Sequence, residues 1–81
     1  MGKYRILYKL VSSEKEMRYE EKLAARMFND IHSEYSLESG AYAVYIEGQY
    51  DTEKDCRHKM AEIKQRKPHI NIFLQYKERW D

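Results

Sequence analysis

Twice along these 81 residues the hydrophobic period switches from the two of a strand to the roughly 3.6 of a helix. That succession constrains the fold more than any other feature. Tyr4, Ile6, Tyr8 and Leu10 alternate with Lys3, Arg5, Leu7 and Lys9, the pattern of a strand with one buried side. Ser13 and Glu16 then form a capping box, in which hydroxyl and carboxylate satisfy the free N–H groups of a first helical turn. The helix that follows carries Met17, Leu23, Ala24, Met27, Phe28 and Ile31 as an apolar stripe, and the spacing predicts that it runs to about Ser33.

The same succession recurs downstream. Residues 35–38 make a short strand candidate, Ser39-Gly40 a turn, and Ala41 to Tyr50 a second clear strand. Tyr42, Val44 and Ile46 fall on one of its faces, and Ala41, Ala43, Tyr45 and Glu47 on the other. Asp51 or Thr52 can cap a second helix whose buried stripe is Cys56, Met60 and Ile63. Pro68 ends that helix by forcing the preceding residue out of helical geometry. A last strand starts near Ile70, with Ile70, Ile72, Leu74 and Tyr76 opposed to Asn71, Phe73, Gln75 and Lys77. The expected fold is α+β: a two-layer, ferredoxin-like βαββαβ sandwich with both helices on one face of the sheet. If residues 35–38 are only a loop, a three-stranded βαβαβ variant remains. The expected core is Ile6, Met27, Phe28, Val44, Ile46, Met60, Ile63, Ile72 and Leu74.

Length and charge bound the function. A chain of 81 residues has room for one domain, residues 1–81, and no second core. The uncharged stretch Ile70 to Tyr76 is far shorter than the roughly 20 apolar residues of a spanning helix, as is every other in the chain, and Met1-Gly2-Lys3-Tyr4 opens without an apolar signal core. A single cysteine fits a reducing compartment. The expected setting is the cytoplasm, away from membranes, as a monomer or homodimer. The net charge of +1 hides acidic excess in residues 12–51 between basic excess in residues 1–11 and 52–70. Such polarity steers partners of either sign.

Chemistry-bearing clusters are thin. Cys56 and His58 are two apart on a helix and point away from each other, so they make no nucleophile pair. Cys56 reads as a structural thiol in the apolar stripe. His32, His58 and His69 have no paired ligand spacing, and no metal or cofactor is expected. The three glycines, at positions 2, 40 and 48, form no phosphate loop.

Two surfaces are candidates for partner binding. The open face of the sheet would display Arg5, Leu7, Lys9, Tyr45, Phe73, Gln75 and Lys77. Flat rings among cations suit a protein contact, or a single nucleic-acid strand with bases stacked and phosphates paired. Cross-strand shielding among Leu7, Tyr45 and Phe73 is the purely structural account. Residues 41–47 lack the basic-Gly-aromatic run of RNA-recognition sheets. The second surface is the acidic helix, where Glu16, Glu20 and Glu21 could meet a basic partner. The expected function is a non-enzymatic regulator or inhibitor of a larger protein, such as one that handles nucleic acid, with single-stranded nucleic-acid (RNA) binding as the alternative. Small, motif-less, charge-polarised chains are common among phage-encoded antagonists of host defence or nucleic-acid machinery, an association from size and composition alone.

Overall fold

The computed structural model describes residues 2–80, apart from the side chain of Glu47. Within them the elements run β1 (Tyr4–Val11), α1 (Glu14–Ala25), β2 (Ile31–Ser36), β3 (Ala41–Tyr50), α2 (Glu53–Arg66) and β4 (Phe73–Tyr76). The strands form one sheet in the order β2-β3-β1-β4, and every pairing is antiparallel. The three-stranded variant is thereby excluded, but the candidate at 35–38 is strand only at Tyr35 and Ser36, the end of the six-residue edge strand β2; residues 37–38 belong to the turn before β3.

α1 starts as its capping box dictates, with the Ser13 hydroxyl accepting from the Glu16 N–H at 3.2 Å. It does not reach Ser33. The helix stops at Ala25, and the N–H groups of Met27 and Phe28 both donate to the Ala24 carbonyl as the last turn closes. Asn29 and Asp30 follow, residues whose side chains compete for backbone hydrogen bonds and favour turns. Beyond them Ile31 to Ser36 pair residue for residue with Ile46 to Ala41, so strand pairing overrides the helical spacing of Ile31. α2 follows its signals closely. Thr52 caps it, accepting from the Asp55 N–H at 3.1 Å, and it ends at Arg66, two residues before Pro68.

Both helices cover one face of the sheet. On α1, Glu21 accepts a hydrogen bond from Ser33 of β2, whose register partner is Val44. On α2, Cys56, Met60 and Ile63 pack with Ile6, Ile46 and Ile72 to form the core. Val44 and Ala24 are fully buried nearby. Of the expected core, Phe28 and Leu74 are only half-buried against this cluster, and Met27 is 37% exposed because the helix ends before it can turn inward.

Two irregularities shape the sheet. Gly48, at φ +125°, lies where the pairing of β3 with β1 shifts between Tyr4↔Tyr50 and Ile6↔Ile46, a backbone conformation that side chains rarely tolerate. The second is a bulge on β1, between Leu7↔Tyr45 and Lys9↔Val44. It turns both Tyr8 and Lys9 toward the helices: Tyr8 meets Phe28 edge-on at 6.5 Å, and Lys9 lies 3.9 Å from Glu20. Past the bulge the parity of β1 is inverted. Leu10, opposite Ala43, joins the helix-free face, and Lys9 leaves it.

Candidate functional site

The helix-free face is built by alternate residues of all four strands. β1 gives Arg5, Leu7 and Leu10; β2 gives His32 and Glu34; β3 gives Ala43 and Tyr45; β4 gives Phe73 and Gln75. Arg5 sits at its centre on an interior strand, where a cation needs partners on every side. It has them. Its Nε donates to Gln75 Oε1 at 2.8 Å and a terminal nitrogen donates to Glu34 Oε1 at 2.7 Å. Its guanidinium lies between two rings, 3.9 Å from the Tyr45 centroid and 3.7 Å from that of Trp80. His32 stacks on the Tyr45 ring at 5.9 Å, and the Lys77 ammonium lies 5.6 Å from the Trp80 ring. The result is a pile of planar groups under which Arg5 is only 3% exposed.

This arrangement corrects the expectation for several residues. Arg5 is committed to the fold and presents no free fork to a phosphate. Lys9 is on the other side of the sheet. Gln75 is spent on Arg5, and Tyr45 is half-buried between Arg5 and His32. Lys77 lies just past the end of β4, exposed and near Trp80. Glu47 has its side chain outside the described residues. What the face does display is apolar: Phe73, 57% exposed, lies across from half-buried Leu7, and Leu10, 49% exposed, follows beyond the bulge.

Three members of the pile were not foreseen. His32 and Glu34 belong to this face by strand parity once β2 begins at Ile31, and the helical reading of Ile31 hid them. Trp80, the one tryptophan of the chain, is 92% buried against the sheet although it lies beyond the last strand. Its Nε1 is buried and has no hydrogen-bond partner among the described residues. In the sequence Arg5 alternates with Lys3 and Lys9 as a solvent-facing cation would, so nothing local marks it as the covered one.

The acidic helix is likewise engaged within the fold. Glu16 is tied to the helix cap: its N–H donates to the Ser13 hydroxyl, and its carboxylate accepts from that hydroxyl at 3.2 Å. Glu20, its side chain 14% exposed, faces Lys9, and Glu21 accepts from Ser33 Oγ at 2.7 Å. Charge reversal at Glu20 and Glu21 therefore breaks contacts between α1 and the sheet, so it does not isolate a docking effect.

Cys56 is fully buried, and burial, more than its charged neighbours, pushes its thiol above the ordinary range. A protonated, enclosed thiol is a packing group. Among the described residues no group of three or more His, Cys, Asp or Glu could hold a metal ion, and no helix is long and apolar enough to cross a membrane. In comparisons with known proteins, no family model, no curated protein and no solved structure matches this chain.

Proposed function

We propose that this chain is a small non-enzymatic binding protein of the reducing cytosol, a regulator or inhibitor that covers part of a larger protein's surface with its helix-free face. The observation that carries this reading is the division of that face. Its cation is locked inside a stack at 3.7 and 3.9 Å from two rings, while Phe73, Leu7 and Leu10 remain as an apolar strip beside it. A rigid, pre-formed surface loses little conformational entropy on association, and aromatic and apolar anchors of this kind dominate protein contacts. The frame is read as ferredoxin-like: the strand order β2-β3-β1-β4, with each βαβ unit split by an intervening strand, supports it.

A single nucleic-acid strand finds less here. Stacking platforms of that kind need cations free to track phosphates, and Arg5 and Lys9 are both withdrawn from the face. Unlabelled chain titrated into a labelled single-stranded oligonucleotide at about 50 mM salt should bind no tighter than about 100 μM, the weak end of non-specific binding. Micromolar binding that falls steeply toward about 200 mM salt, and that Phe73→Ala abolishes, would replace the protein-partner reading with the nucleic-acid one.

A further inference from the structure

On the helix side of the sheet, two adjoining cavities of about 420 Å³ each share Met27 and Lys67 in their walls. One opens beside Tyr8, Pro68 and Ile70, the other beside Phe28, Ile63 and Arg66. Together they form one groove between the turn that follows α1 and the C-terminal end of α2. Met27, Phe28, Ile63, Pro68 and Ile70 give it an apolar lining, interrupted by Asn29 and Asn71. Its rim carries Lys9, Lys59, Arg66, Lys67 and His69 against one acid, Asp30. Lys9 and Lys59 already face Glu20 and Glu62, at 3.9 and 3.6 Å. Arg66 and Lys67 have no ion-pair partner among the described residues.

The α2 dipole accounts for basic residues at this helix end, but it does not account for an apolar trench laid beside them. Met27, 37% exposed, stands at the junction of the two cavities, and methionine is the apolar side chain that adapts most readily to an incoming surface. We propose that this groove docks an acidic amphipathic segment of a partner protein, in which Asp or Glu alternates with large apolar side chains. The carboxylates reach Arg66 and Lys67 on the rim, while the apolar side chains displace water over Met27, Phe28 and Ile70. Nucleic acid suits the groove less, because its floor is mostly aliphatic and its two rings, Tyr8 and Phe28, are turned edge-on to each other. The groove lies across the sheet from Phe73, so this proposal stands or falls apart from the reading of the helix-free face.

The test is fluorescence anisotropy on the full chain at about 50 mM salt, with a short labelled peptide alternating Glu with Leu and Phe. Binding should weaken at least about tenfold in Arg66→Gln with Lys67→Gln, and equally in Met27→Asp. A polyglutamate peptide of the same charge should bind at least about tenfold more weakly, since it brings no apolar side chains. Met27 is exposed, so Met27→Asp keeps the test decisive if the double variant fails to fold. Equal binding of polyglutamate, indifference to all three substitutions, absence of peptide binding, or displacement of the peptide by a lower concentration of single-stranded oligonucleotide would each overturn the proposal.

Discussion

Arg5→Ala should destabilise the fold by about 2–4 kcal/mol, far more than removal of a surface arginine. The substitution strips the cation from between Tyr45 and Trp80 and takes the donors from Gln75 and Glu34. It also leaves a void under a side chain that is 3% exposed. Removing one partner of a buried pair costs about 3–5 kcal/mol when the remaining charge stays buried. Glu34 retains one-third of its side-chain exposure and can be rehydrated, which lowers the figure. Arg5→Lys should recover less than half of the loss, because an ammonium neither stacks between rings nor presents a fork. Urea unfolding followed by fluorescence checks this directly, since Trp80 is the one tryptophan and sits on Arg5. A loss below about 1 kcal/mol would mean that Arg5 is solvated like an ordinary surface cation.

Ile6→Ala should cost about 2–5 kcal/mol, a large part of the roughly 5–15 kcal/mol that holds a small domain together. Ile6 is 1% exposed on the strand flanked by β3 and β4, with Ile46 on one side and Leu74 on the other. It faces the α2 stripe of Cys56, Met60 and Ile63, so no neighbour can collapse into the space without moving a strand or a helix. Phe28→Ala should cost less, since Phe28 is half-buried at the rim of the core. The order of the two Tm shifts is the check. A larger shift for Phe28→Ala would place the centre of the core under the end of α1 instead.

Where local chemistry decides a feature, the residues announced it. Ser13 and Thr52 cap their helices, Pro68 closes the second, and the alternation of β3 and of residues 73–76 carries straight into the sheet. Features decided by a distant partner were illegible. The bulge at Tyr8 and Lys9 arises from how β1 pairs with β3, and one residue of slip sent Lys9 to Glu20 and Leu10 to the other face. Met27, Phe28 and Ile31 keep helical spacing while serving a turn and a strand, because six residues of pairing with β3 outweigh the continuation of a helix through Asn29 and Asp30. The candidate site suffered most. Its centre joins residues 5, 34, 45, 75 and 80, and sequence spacing carries no trace of such a meeting.

The claim that the helix-free face is a protein contact is tested most directly by capture from the source cell's lysate, before and after nuclease treatment, with the native chain and Phe73→Asp side by side. Phe73 is 57% exposed, so the substitution should leave the Trp80 emission and the Tm unchanged. The account predicts a protein partner that the native chain retains through nuclease treatment and that Phe73→Asp loses. A partner released by nuclease, or one held equally well by Phe73→Asp, would contradict it.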